Sequence, residues 1–344
     1  LPAVARAARP GNYLGRSPRY GESNHSPTPP TVPASDAARY LRPDVLSQLD
    51  SMELRARLIV EGFITGLHKS PYHGFSVEFA EHRPYNAGDE PRHIDWKVYA
   101  KSDRYYVKQY EEETNLRHFV VLDTSASMRY RGESALRKLD YGAYLAAGLH
   151  YLMARQRDAT GLVGFDETVH TLLPPRSTMG HVRGLLATLD GFTDDAPSKG
   201  EATPKTAVAA ALHEVAERIG RRALVVVITD LFENVAAHDA LLKALQHLRY
   251  RGHEVLVFHV LDAATERRFA FPDVPLVMRD LETGETMTVQ PAQLRASYTE
   301  AVAAFAERFR RRCREQRIDF VELDTAQPYD AALTSYLNKR RRLF

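Results

Sequence analysis

The sequence predicts an α/β protein, a doubly wound and mostly parallel sheet with a small β-rich region before it. Three observations predict this. From His118 onward, apolar runs of strand length alternate with stretches of helical periodicity. The longest apolar run, Ala223 to Thr229 (ALVVVIT), has no polar alternation, so it reads as a strand covered on both faces. Two of the runs end in Asp, at Asp123 and Asp230, on the carboxyl edge where such sheets bind ligands.

Composition sets the bounds. A chain of 344 residues is long enough for about two domains, and 44% apolar with 26% charged residues is ordinary globular usage. This excludes a wholly disordered chain, a collagen and a disulfide miniprotein. With 46 Lys+Arg against 44 Asp+Glu, the net charge of +2 gives no push towards nucleic acid or anionic membrane. The one cysteine, Cys313, cannot form an internal disulfide and reads as a bystander in a charged helix, consistent with a reducing compartment.

Taken in order, residues 1–36 hold seven of the 19 prolines and read as a disordered tail. The opening LPAVARAARP is too short and too broken by Pro for a signal peptide, and a first residue of Leu fits a fragment or a non-ATG start, with the tail then a candidate for untranslated upstream sequence. Helical spacing starts near Ser35-Asp36 and runs through Leu41, Val45, Leu46, Leu49, Leu54, Leu58 and Ile59. Gly62 to Arg117 is dense in Gly, Pro, His and aromatics, with short alternating runs at Phe75-Val77-Phe79 and Tyr105-Val107. The expected division is therefore a tail over 1–36, a helix and small β-rich region over 37–117, and the α/β domain over 118–344.

Within that domain, strands are expected over 118–123, 161–165, 169–174, 223–230, 254–261 and 318–324, with a hairpin-like stretch over 280–289. Helices are expected over 135–157, 179–190, 206–220, 236–249 and 291–317, with a last one ending near Arg340. No stretch reaches the roughly 18 consecutive apolar residues of a membrane helix, so a chain without an integral span, placed in the cytoplasm, is expected.

The chemistry concentrates at the carboxyl edge. Asp123-Thr124-Ser125-Ala126-Ser127 is a D-x-S-x-S at the end of the first buried strand, and one carboxylate with two hydroxyls makes a hard oxygen site suited to Mg²⁺, with Mn²⁺ as a substitute. Thr206, with Thr203 nearby, precedes the next helix, and Thr229-Asp230 ends a neighbouring strand. The plain structural alternatives are helix caps at Asp123 and Thr206 and a turn at Asp230.

This order of loops resembles the metal-ion-dependent adhesion site of von Willebrand factor A domains. The resemblance implies a von Willebrand factor A-like fold and a metal set of Asp123, Ser125, Ser127, Thr206 and Asp230, completed by an acidic residue of a partner. Thr229-Asp230-Leu231 departs from the Asp-Gly of many members. The preceding segment carries Glu78, Phe79, Arg83, Tyr85, Gly88, Asp89, Arg92, Ile94, Asp95 and Trp96. Those residues resemble the signature of the bacterial domain-of-unknown-function family fifty-eight. Members tend to be encoded beside MoxR-type AAA+ ATPases, which implies such a partner and a role in chaperone-like assembly or metal insertion; this chain resembles the shorter branch without membrane helices.

Other features have plainer readings. Asn86 to Asp89 is a turn signal, Arg83, Arg92, Asp89 and Asp95 are expected to form a charged network around it, and Trp96 to anchor it in the core. His68, His73, His82 and His93 lack zinc spacing. Glu111 to Glu113 reads as an exposed turn, Arg308 to Arg317 as a solvated helix face and Lys339 to Arg342 as a short basic tail. Three functions follow: a non-catalytic Mg²⁺-dependent adaptor, a phosphatase-like hydrolase with Asp123 as nucleophile, and a nucleic-acid binder stacking bases on the Tyr-rich segment 99–110. Ser125 stands where a hydrolase of this kind would place a second Asp, and there is no phosphate-binding G-x-x-x-x-G-K-[ST] loop, which favours the adaptor.

Overall fold

The structure, a computed structural model, describes residues 42–69, 82–85, 96–108, 117–194, 207–220, 222–231 and 238–341. Its centre is a six-stranded sheet of β3 (Arg117–Asp123), β4 (Ala159–Phe165), β5 (Val169–Arg176), β6 (Leu224–Thr229), β7 (Glu254–Leu261) and β10 (Asp319–Asp324). Their order across the sheet is β10-β7-β6-β3-β4-β5. All pair in parallel except β5, which runs antiparallel to β4 at the edge. The α/β architecture expected from the sequence is the one observed.

The period of two along each strand divides its side chains between two cores. Val120, Leu122, Val226, Ile228 and Phe258 point into one; Phe119, Val121, Val225, Val227 and Val257 point into the other. On the first face lie α2 (Met52–Lys69), α4 (Lys138–Arg155), α5 (Met179–Thr193) and α9 (Asp330–Arg341). On the second lie α6 (Ala207–Arg218), α7 (His238–Tyr250) and α8 (Pro291–Glu315). The helix of the N-terminal region is thus part of this layer: Ala56, Ile59, Val60 and Phe63 of α2 are buried in the same core as the sheet.

Several local readings change. The hairpin pairs Leu276–Arg279 (β8) with Thr286–Val289 (β9), and the stretch from Asp280 to Glu285 is its turn rather than strand. Cys313 is fully buried beside Phe309 on the inner side of α8, so it is a core residue, while Arg308, Arg311, Arg312 and Arg314 face solvent as expected. The basic C-terminal run is not a free tail. Lys339 reaches Glu254 at 3.0 Å and Asp319 at 3.2 Å, and Arg340 holds the buried Asp158 at 2.8 Å, fastening α9 to the sheet.

Trp96 does not anchor the core. It opens the short helix α3 (Trp96–Ser102), is 58% exposed, and meets Tyr99 edge-on. The reason is local: α3 leads to β2 (Tyr106–Lys108), paired with β1 (His82–Pro84), and the rings stack on one another, Tyr99 on Tyr105 with centroids 4.5 Å apart. The tail over 1–36, the helix start near Ser35, the strand at Phe75 to Phe79, the turn at Asn86 to Asp89, Glu111 to Glu113 and His73 and His93 lie outside the described residues, as do Thr203 and Thr206. Among the described residues no helix is long and apolar enough to cross a membrane.

Candidate functional site

The carboxyl ends of β3, β6 and β7 lie side by side, because these strands are neighbours in register: Leu122 opposes Ile228, and Thr229 opposes His259. That brings the Asp123 and Asp230 loops together although the residues are over a hundred positions apart in the chain. After β3 the chain turns tightly. The Ser125 amide donates to Asp123 Oδ1 at 3.0 Å, and Ser127 opens a one-turn 3₁₀ helix. This turn aims the two serine hydroxyls at each other, with Oγ atoms 3.1 Å apart.

Asp123 is completely buried, and its second oxygen accepts from the Thr229 hydroxyl at 2.6 Å. Burial, reinforced by the nearby Asp230 carboxylate, pushes its pKa up to about 7, against hydrogen bonds from Ser125 and Thr229 that pull it down. Asp123 fixes the turn at Ser125 but is not the N-cap of the 3₁₀ helix, which begins after Ala126 with no side-chain cap.

Asp230 follows β6 directly. Leu231 then takes a left-handed backbone (φ +52), uncommon for a residue of its size, which turns the chain sharply at this edge. The Asp230 side chain accepts from Lys138 Nζ at 2.7 Å. The same ammonium donates to Glu266 at 2.5 Å. Burial opposes the charge on Lys138, but the Asp230 and Glu266 carboxylates outweigh it and hold its pKa above the ordinary lysine value. Glu266 in turn accepts from the Asp262 amide at 2.7 Å, within a π-helical turn (Ala263–Arg267) after β7. Asp262 itself accepts from Thr265, whose hydroxyl accepts from the Tyr130 phenol at 2.8 Å.

Glu282, at the tip of the β8–β9 hairpin, closes the site from above. Its carboxylate accepts from the Ser127 amide at 2.7 Å. Sequence reasoning named Asp123, Ser125, Ser127 and Asp230, which the fold brings to one edge, and Thr206, which lies outside the described residues. It missed Lys138, Glu266 and Glu282. No local pattern marks them, since each acts on a residue 92 to 155 positions away.

The residues suit a hard divalent cation through hydroxyls rather than through a carboxylate cage. Octahedral Mg²⁺ with bonds near 2.1 Å has edges of about 3.0 Å, which the Ser125 and Ser127 oxygens match at 3.1 Å. The buried Asp123 carboxylate carries charge that a cation would relieve. Among the described residues no group of three His, Cys, Asp or Glu side chains could hold an ion, so any ion here depends on the serines.

Residues 81–308 match the sequence profile described as "Protein of unknown function DUF58". The chain belongs to the DUF58 family. Uncharacterised proteins of Mycobacterium tuberculosis and Mycobacterium bovis are each 27% identical over 303 residues, covering 87% of this DUF58 chain and 91% of theirs. Among solved structures, the conserved hypothetical protein BatB of Bacteroides thetaiotaomicron is 17% identical, covering 66% of this chain and 98% of that one, with a TM-score of 0.43. A von Willebrand factor type A protein of Catenulispora acidiphila is 16% identical, covering 43% of this chain and 34% of that one, with a TM-score of 0.27.

Proposed function

We propose that this DUF58 protein is a non-catalytic, Mg²⁺-dependent binding module that grips an acidic residue of a protein partner. In this reading it serves as an adaptor for a MoxR-type AAA+ ATPase in the assembly or maturation of other proteins. The observation that carries the metal-dependent part is the pair of Ser125 and Ser127 hydroxyls beside the buried Asp123 carboxylate at the sheet edge. Ser125 and Ser127 would hold the ion directly, with the buried Asp123 and Asp230 as counter-charges behind them and Thr206 added by the family resemblance. A bound Mg²⁺ supplies a hard position for a carboxylate oxygen. The chain's own residues fix the site: Ser125 N–H and Thr229 O–H each orient one oxygen of Asp123, and Lys138 restrains Asp230. The ATPase partner rests on the family resemblance, and the lack of a phosphate-binding loop in this sequence leaves ATP hydrolysis to that partner.

The hydrolase reading fits less well. Both oxygens of Asp123 already accept hydrogen bonds and the side chain is fully buried, so neither is presented for attack on a phosphoryl group.

The test compares retention of a purified MoxR-type ATPase on immobilised protein in Mg²⁺ and in EDTA, with wild type and Asp123→Ala. Retention by wild type in Mg²⁺ alone, lost in the variant, is expected. The variant strands the Thr229 hydroxyl, at about 1–3 kcal/mol of stability, and stays folded by circular dichroism. Metal-independent retention would overturn the reading. Phosphate-ester turnover that Asp123→Asn abolishes would favour the hydrolase.

A further inference from the structure

We infer that Glu282 is a ligand-set member of this cation site, supplied by the chain itself, and that it holds the position a partner carboxylate must take. The inference rests on the metal-binding reading above and names how the site is regulated.

The placement of Glu282 is built from several layers. Gly284, at φ +74, lets the hairpin turn close, a conformation that favours glycine. The Asp280 side chain accepts from the amides of Glu282 at 2.8 Å and Thr283 at 3.1 Å, and its carbonyl accepts from the Gly284 amide at 2.9 Å. The turn is therefore fixed before its tip meets anything else. The body of the hairpin is fastened too: Met278 and Val289 are buried with Phe269 in a small cluster against Tyr298, whose hydroxyl donates to the Glu266 carbonyl at 2.9 Å. Glu266 is the residue that holds Lys138, so the hairpin is tied to the same network it caps.

What this rigid support presents is a carboxylate, and it presents it to a site that already contains two. Asp230 acts on both Asp123 and Glu282 as a like charge, and Asp280 also opposes Glu282. One hydrogen bond from the Ser127 amide is a modest gain for bringing a third carboxylate to this edge. A divalent cation between the Ser125–Ser127 pair and Glu282 offsets that repulsion, because it turns Asp123 and Glu282, each opposed by Asp230, into counter-charges. The carboxylate that caps the site is then internal, and a partner's acidic residue binds only by displacing it.

The experiment uses the full chain and Mn²⁺ as probe, with wild type, Glu282→Gln, Glu282→Ala and Glu285→Gln. Glu282→Gln keeps an acceptor for the Ser127 amide and removes only the charge. Glu285→Gln makes the same charge change at an exposed position of the same hairpin. Free Mn²⁺ is counted by electron paramagnetic resonance, and water-proton relaxation reports exchangeable waters on bound Mn²⁺. Glu282→Gln and Glu282→Ala are expected to bind Mn²⁺ about tenfold more weakly than wild type. Glu282→Ala is also expected to gain relaxivity from an added water, which millimolar acetate then lowers; wild type and Glu285→Gln should not respond to acetate. Wild-type affinity and relaxivity in both Glu282 variants would overturn the role of Glu282 while leaving the cation site standing. Failure of wild type to bind Mn²⁺ would overturn the site and this inference together.

Discussion

Lys138→Met tests the electrostatic logic of the site without touching the serine turn. The lysine side chain is 1% exposed and its partners Asp230 and Glu266 are 3% and 16% exposed. Met keeps most of the apolar stem and removes the ammonium. Two charge-assisted hydrogen bonds are lost, each contributing about 1.5–3 kcal/mol. The loss has a ceiling, because each of the two stranded carboxylates takes up a proton at about 1.4 kcal/mol per pH unit above its ordinary value, or about 4 kcal/mol per group at neutral pH, and the two lost hydrogen bonds fall below that joint limit. The expected destabilisation is therefore about 4 kcal/mol, inside the range for breaking a buried pair. In thermal unfolding this corresponds to a fall in Tm on the order of 10 °C. The assay is urea and thermal unfolding by circular dichroism at pH 7 in EDTA, so that no divalent ion replaces the ammonium. A second variant separates charge from packing. Lys138→Met with Glu266→Gln removes one of the stranded charges and keeps an acceptor for the Asp262 amide, so it should regain about 2 kcal/mol relative to Lys138→Met alone. A single-variant loss below about 1 kcal/mol, or a double variant no better than the sum of its parts, would refute the reasoning.

Three further outcomes follow from burial and packing. His150 is fully buried against Thr160, and burial, with the charges of His181 and His118 adding to it, holds its pKa near 3. The folded protein therefore binds a proton less readily than the unfolded chain, so its stabilisation is complete above about pH 6.5 and declines as pH falls towards 3. Between pH 7 and pH 5 this one group should remove about 2 kcal/mol, and urea midpoints of His150→Gln that fall as steeply as wild type would contradict it. Gly161→Ala would place a methyl 2.6 Å from the Leu173 carbonyl oxygen, a backbone atom of the paired strand, and should cost about 2–3 kcal/mol. Gly184→Ala in α5 meets nothing within 4 Å and should gain roughly 0.5–1 kcal/mol; the same sign of Tm shift in both glycine variants would be the wrong result.

The sheet was legible in the sequence because its signal is local. An unbroken apolar run such as LVVVIT needs cover on both faces wherever it sits, and β6 is buried along its whole length. The strand at 254–261 was read to the residue, while β4 starts two residues before the expected 161, since Ala159 and Thr160 carry no run of their own. The D-x-S-x-S turn was equally local, being set by one Asx-type hydrogen bond from Ser125 to Asp123. Trp96 misled because an aromatic residue in a patterned segment looks like a core anchor, yet the ring it meets is Tyr99, which stacks on the exposed Tyr105. Arg340 misled in the opposite sense: among basic residues its charge reads as solvated, and only the fold sets the buried Asp158 within reach.

By itself, then, the sequence determined the layered sheet and the first loop of the site, since periodicity and short-range hydrogen bonding are properties of adjacent residues. Only the tertiary structure decided which charges meet there. Lys138 finds Asp230 across 92 positions, and Glu282 finds Ser127 across 155, because strand order and a rigid hairpin bring them together, and Coulomb forces act on distance in space rather than along the chain.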